Sequence, residues 1–185
     1  MSDWLISPCR PEDLPAIVAL VNSAYRGTSS QAGWTTEADY IDGQRTSLDD
    51  LQRDLTADTD PVLLTLRQHA DGEILACALV ERASGEADAP AGYIGMVTVK
   101  PGLQAGGVGR AMLQAAEDFA LARGAVRARM TVVSIRDSLI AWYQRRGYRL
   151  TGERRPFPYD DARFGIPRQP ALEFVVLEKP LTGGG

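Results

Sequence analysis

The sequence predicts a single-domain α/β protein, and three observations carry that prediction. Apolar runs of strand length alternate with segments of helical periodicity along the chain. One apolar, β-branched run passes through a glycine-rich turn directly into an amphipathic pattern. A length of 185 residues suffices for one substantial core and is short for two. Residues 1–180 are read as one domain and 181–185, which end in three glycines, as a flexible tail. Hydrophobic content of 44% and charged content of 24% are ordinary for a globular chain, which excludes fibrous and disordered classes.

The elements follow in order. Trp4 to Cys9 reads as a first strand, and Arg10-Pro11-Glu12-Asp13 opens a helix with an early proline and first-turn acids. Leu14, Ile17, Val18 and Val21 give that helix its apolar face. The helix ends near Asn22 to Gly27, and Thr28 to Glu37, polar with one large aromatic, Trp34, reads as a loop able to carry function. Ser47-Leu48-Asp49-Asp50 is a capped helix start, with Leu51 and Leu55 at helical spacing. Pro61 to Gln68 and Ile74 to Glu81 are strands of a hairpin turning at Asp71-Gly72. Ser84 to Ala91 is a polar surface connection. Tyr93 to Lys100 is a strand, Val108 opens a helix that ends near Gly124, and Val126 to Val133 is a further strand. Leu139, Ile140, Trp142 and Tyr143 mark a helix over 136–146 closed by Gly147. A strand restarts at Tyr148, a proline-rich excursion occupies 155–170, and Leu172 to Leu177 is the last strand.

Composition also bounds function. No apolar run is long enough to span a membrane, and the N-terminus lacks a basic region followed by an apolar core, so a cytoplasmic protein without a membrane association is expected. A net charge of −4 argues against nucleic-acid binding. Cys9 and Cys77 lack metal-ligand spacing and His69 is the single histidine, so no metal site is expected and the thiols are read as reduced and buried. Arginine outnumbers acid from Arg123 to Arg168, a local field suited to a polyanionic ligand as well as to a solvated surface.

The most informative stretch is Tyr93 to Arg110. A strand that leads through glycines into a helix N-terminus aims free N–H groups and the positive end of a helix dipole at whatever lies in front, which favours phosphate. Gln104-Ala105-Gly106-Gly107-Val108-Gly109-Arg110 has no Lys-Ser/Thr after its last glycine, so it is not a Walker loop. It follows hairpin strands late in the chain, so it is not a dinucleotide fingerprint either. Taken alone it is a weak signal, since glycines also serve turns and close packing.

Two motifs together narrow the reading. The Gln-x-x-Gly-x-Gly loop after Val97-Thr98-Val99-Lys100-Pro101, and a later helix ending Trp142-Tyr143-Gln144-Arg145-Arg146-Gly147-Tyr148, stand in the element order of the GCN5-related N-acetyltransferase (GNAT) superfamily. The chain resembles that superfamily over almost its whole length. The resemblance implies a mixed, splayed central β-sheet flanked by helices, with acetyl-CoA as acyl donor and no metal. It implies direct transfer of an acetyl group to a primary amine and allows a homodimer.

By the same resemblance, Gln104, Ala105, Gly106, Gly107, Val108, Gly109 and Arg110 hold the pyrophosphate. Val97, Thr98 and Val99 pair with the pantetheine arm, a strand irregularity falls at Gly95 and Met96, and the Val97 N–H serves as an oxyanion donor. Tyr143 is the general acid that protonates the leaving thiolate. Three positions depart from the family: Ala105 replaces a frequent glycine, Gly106 replaces a frequent basic residue, and Arg136 stands where Asn is frequent, from where it could reach a phosphate. The acceptor pocket is expected between the loop after the first helix and the 155–167 excursion, with Trp34, Glu37, Tyr159 and Arg163 as substrate-binding candidates. Glu37 is also a candidate base, a water relay being the alternative. Arg163 offers a carboxylate-seeking fork, so a small amine bearing a carboxylate is expected rather than a polybasic peptide. Two rival readings are a non-catalytic CoA-binding or regulatory module of the same fold and a protein N-terminal or lysine acetyltransferase.

Overall fold

The computed structural model of the chain describes residues 4–26, 36–83 and 90–182. Its elements are β1 (Leu5–Pro8), α1 (Leu14–Tyr25), β2 (Ile41–Asp42), α2 (Leu48–Asp54), β3 (Val62–Arg67), β4 (Ala76–Arg82), β5 (Ala91–Val99), α3 (Val108–Ala122), β6 (Arg127–Val133), α4 (Asp137–Gln144), β7 (Arg149–Pro156), β8 (Ile166–Pro167) and β9 (Glu173–Pro180). A 3-10 turn over Pro11–Asp13 leads into α1, and a second over Ala162–Phe164 precedes β8. The two-residue strands β2 and β8 are the additions to the expected order. Ser47 caps α2 as its sequence requires, its hydroxyl accepting from the Asp50 N–H at 3.1 Å. Trp34 and most of the 84–91 connection lie outside the described residues.

Seven strands form one sheet in the order β1-β3-β4-β5-β6-β9-β7, and every neighbouring pair is antiparallel except β5 with β6. The period of two along β3 and β4 sorts their side chains onto two faces. Leu64, Leu66, Ala78 and Val80 join Met112, Leu113 and Ala116 of α3, whereas Leu63, Cys77 and Leu79 join Ile17, Leu20 and Val21 of α1. A helix therefore covers each face. Met112 and Ile17 are wholly buried, and burial of each such side chain contributes about 1.5–3 kcal/mol.

Two irregularities of β5 position the site. First, β5 pairs with β6 only at Ala91/Arg127, Gly92/Ala128 and Tyr93/Arg129, although the strands run on to Val99 and Val133. The sheet splits beyond that point. Second, Gly95 stands opposite Leu79 while Thr98 stands opposite Cys77, so β5 carries one extra residue against β4. Met96 takes φ +52 within this bulge, where the irregularity is expected from the sequence.

Candidate active site

The parting of β5 and β6 opens a cavity of about 600 Å³, of a size that holds a small ligand. Met96 and Val97 of β5 line it together with Thr131 and Val133 of β6, Leu139 and Tyr143 of α4, and Tyr25 at the end of α1. Arg26, Glu37, Ile41, Arg136, Phe157 and Phe164 line it too. Residues 37–45 and the late excursion thus meet over the same space. They are clasped by β2 and β8, paired antiparallel through Ile41/Pro167 and Asp42/Ile166. The Arg168 N–H donates to the Tyr40 carbonyl at 2.8 Å, and Arg168 forms an ion pair with Asp42 at 2.6 Å.

Tyr143 reaches the wall because α4 turns its Leu139, Ile140 and Tyr143 face inward. Its ring meets Trp142 and Tyr148 edge to face, with centroids at 5.0 and 5.7 Å. Burial, with the nearby Tyr25 adding to it, pushes the phenol far above its ordinary range, so the hydroxyl keeps its proton at neutral pH. Across the cavity, the buried Tyr25 hydroxyl donates to the Val97 carbonyl at 2.8 Å. That contact joins α1 to the bulged strand.

Glu37 is buried between two guanidinium groups. It accepts from Arg26 and, at 3.3 Å, from Arg136. Burial alone would raise its pKa, but the charges of Arg136, Arg45 and Arg26 outweigh that and hold the carboxyl below the ordinary glutamate range. A carboxylate so held has little affinity for a proton. Arg136, at the N-cap of α4, is committed to this pair.

The glycine-rich turn lies between β5 and α3. Gly107 is the N-cap of α3 with φ +80, and no side chain caps the helix. A Cβ at Gly107 would meet nothing within 4 Å, so glycine is required there by backbone conformation and not by packing inside the protein. The Gln104 side chain donates to the Val99 carbonyl at 3.4 Å, tying the turn to the strand end. Beside it, Arg110, Gln114, Arg145, Arg146 and Lys179 line a second hollow of about 490 Å³. Burial and the neighbouring Arg145 and Arg110 lower the pKa of Arg146, whose guanidinium sits 3.4 Å over the Trp142 ring.

The structure does not bring every candidate to the cavity. Tyr159 is exposed, and its hydroxyl pins the excursion by accepting from the Leu172 N–H at 2.6 Å and donating to the Gln169 carbonyl at 3.1 Å. The Arg163 fork is taken by Asp161, two residues away, in an exposed pair. Neither residue lines the cavity. His69 is exposed, Cys77 is buried, and among the described residues no His, Cys, Asp and Glu group could hold a metal. No helix among the described residues is long and apolar enough to cross a membrane. Tyr25, Arg26 and Arg45 are cavity residues that the sequence reading missed. The one available signal was the pair of opposite charges, Arg26 and Glu37, flanking an uncharged loop.

The model of the acetyltransferase (GNAT) family matches residues 21–148. No curated protein matches the chain in sequence. Among solved structures, a protein provisionally named a phosphinothricin N-acetyltransferase is similar at TM-score 0.70 and 15% identity, covering 98% of this chain and 100% of its own. The ribosomal-protein-S18-alanine N-acetyltransferase from Escherichia coli is similar at TM-score 0.65 and 18% identity, with 98% and 96% covered. The NatC complex bound to Gag peptide and CoA is similar at TM-score 0.67 and 13% identity, with 97% and 99% covered.

Proposed function

Because the chain belongs to the acetyltransferase (GNAT) family, we propose that it transfers an acetyl group from acetyl-CoA directly to the primary amine of a small molecule. The observation that carries this reading is the split between β5 and β6, with the bulge at Met96 and Val97 on one wall and Tyr143 on the other.

The residues present fit the donor. First-turn N–H groups of α3 without a side-chain cap, and a left-handed Gly107 with open space before it, suit the pyrophosphate. The basic hollow around Arg110, Arg145 and Arg146 suits the remaining phosphate. Beyond Tyr93, β5 has no pairing with β6, which leaves room beside Val97, Thr98 and Val99 for an amide-bearing arm, although the Val97 and Val99 carbonyls already accept from Tyr25 and Gln104. Acetyl-CoA supplies an activated thioester carbonyl and a thiolate leaving group.

In this reading the Val97 N–H stabilises the developing oxyanion, a role worth about 3–4 kcal/mol when aligned. Tyr25 holds the adjoining Val97–Thr98 peptide through its carbonyl. Tyr143, protonated at all physiological pH values, gives its proton to the departing sulfur. Glu37 orients Arg26 and Arg136 instead of accepting the amine proton, which leaves to water. The neighbours named for protein substrates do not set the acceptor of this chain; the β2–β8 clasp over the cavity favours a small one.

Release of free thiol from acetyl-CoA across a panel of amino acids, polyamines and peptides tests the proposal. Turnover with a small amine is expected, and Tyr143→Phe should lower kcat by about 10²- to 10⁴-fold. A protein that binds acetyl-CoA yet turns over with no member of the panel would instead be a CoA-binding module.

A further inference from the structure

The closed end of the split between β5 and β6 has a fastening of its own. Main-chain pairing of the two strands ends at Tyr93 and Arg129. Just past that pair, the hydroxyls of Tyr93 and Thr131 share a hydrogen bond of 2.7 Å from one parting strand to the other. Ile94 joins the core beneath α3, so Tyr93 and Gly95 on either side of it share the opposite face of β5. The Tyr93 ring leans over Gly95: a Cβ there would lie 3.1 Å from Tyr93 Cε1, 3.8 Å from Cδ1 and 3.9 Å from Cζ. Gly95 is not among the residues with positive φ, so what its missing side chain makes room for is the ring. Tyr93, Gly95 and Thr131 all line the large cavity. Burial first, and Tyr25 next, raise the Tyr143 phenol, and Tyr93 adds to them, which puts the Tyr93 ring within electrostatic reach of the proposed proton donor.

Resting on the acetyltransferase reading, we propose that Tyr93, laid over Gly95 and fastened to Thr131, sets the length of acyl group that the donor can carry. In that reading the arm of the donor comes from the α3 turn and runs beside Val99, Thr98 and Val97, with the thioester carbonyl at the Val97 N–H. The acyl chain then continues down the split toward Gly95, at most about 7 Å farther along the strand. There it meets the ring. A ring held through its hydroxyl as well as its backbone cannot swing aside without losing the bond to Thr131, so a longer chain either breaks that bond or overpacks the space. Short acyl groups pass this limit and long ones do not. The same fastening keeps the strands from parting farther toward Ala91, which fixes where the split begins.

The test compares acetyl-, propionyl-, butyryl- and hexanoyl-CoA as donors to an amine that turns over, with the wild-type chain, Tyr93→Ala and Thr131→Val. Wild-type kcat/KM should fall about 10-fold or more from acetyl- to hexanoyl-CoA. Tyr93→Ala should raise the hexanoyl-to-acetyl ratio about 10-fold or more. Thr131→Val keeps the branched side chain and releases the ring, and should raise the ratio about 3-fold. Equal use of hexanoyl- and acetyl-CoA by the wild type, or the wild-type ratio in a folded Tyr93→Ala variant, overturns the inference while leaving the acetyltransferase reading intact. Where Tyr93→Ala does not fold, an unchanged ratio in Thr131→Val overturns it. A second measurement needs neither turnover nor a variant. Without any amine, acetyl-CoA should raise the wild-type melting temperature by about 2–4 °C and hexanoyl-CoA by less. If no amine is acylated, the enzymatic reading falls, and this comparison still decides: an equal or larger rise with hexanoyl-CoA, or no rise with any of the thioesters, overturns the length limit.

Discussion

Tyr25 reaches from the last turn of α1 to the Val97 carbonyl, and that bond joins the packing of Met96 on α1 in holding the bulged strand against the helix. Tyr25→Phe keeps the ring and its packing while stripping the carbonyl of its partner, at a cost of about 1–3 kcal/mol. The melting temperature should fall by several degrees. The bonded carbonyl belongs to the Val97–Thr98 peptide, next to the one that carries the Val97 N–H, so a local shift of the strand should lower kcat by about tenfold with KM for acetyl-CoA little changed; steady-state kinetics on a folded variant checks both. Gly107 offers the opposite separation. With φ +80 and open space around it, Gly107→Ala costs only left-handed strain, about 1–2 kcal/mol. In the proposed reading the methyl group also stands where phosphate must approach, so KM for acetyl-CoA should rise about tenfold or more. A KM that stays put while the melting temperature falls would show a turn with no ligand role.

At the scale of elements, the clasp between β2 and β8 holds the cavity wall proposed for the acceptor. Gly165, next to β8, has φ +88, and a Cβ there would lie 2.5 Å from Ile41 Cγ2 and 2.6 Å from the Asp42 carbonyl oxygen. Both atoms belong to β2, one of them backbone, so neither can yield without opening the pair. Gly165→Ala should therefore raise KM for the amine and leave KM for acetyl-CoA near its original value, which two-substrate kinetics resolves. The unequal legibility of the two halves of the site in the sequence has the same origin. The proposed donor side is one contiguous run in which strand, glycine turn and helix start follow each other, so its geometry could be read locally while its acetyl-CoA chemistry came from the resemblance to the family. The inward face of Tyr143 was legible from helical spacing, whereas the bulge at Gly95 and Met96 was placed by the resemblance to the family. The acceptor half is assembled from the end of α1, residues 37–45 and residues 157–167, and its register is set by a two-residue strand pair too short to leave a periodic trace. Arg163 and Tyr159 looked suited to a ligand because the sequence cannot reveal that Asp161 and the 169–172 backbone already occupy them.

For the whole molecule, buried titratable groups bound the pH range of stability on both sides. Asp13, although burial would raise its pKa, is held low by the Arg10 N–H and by Arg67, 2.7 Å away; Glu37 is held low by its arginines. A carboxyl whose folded pKa is depressed stabilises fully above its unfolded value, about 3.9 for Asp and 4.3 for Glu, and loses that contribution as pH falls through the folded value. Tyr25 and Tyr143 work the other way. Burial raises both phenols, so their contribution is full below about pH 10 and is lost as pH climbs past it. The melting temperature should be flat from about pH 5 to 9, fall below about pH 4 and fall again above about pH 10; a loss already present at pH 6 would contradict this assignment. The split sheet has a further implication for engineering. Under the proposed reading the donor is held largely by main-chain groups of β5 and the α3 turn, whereas the acceptor meets side chains on separate segments. Recoding Arg26, Arg45, Phe157 and Phe164 can then redirect the choice of amine without disturbing the donor machinery, as exchangeable tooling on a fixed chassis.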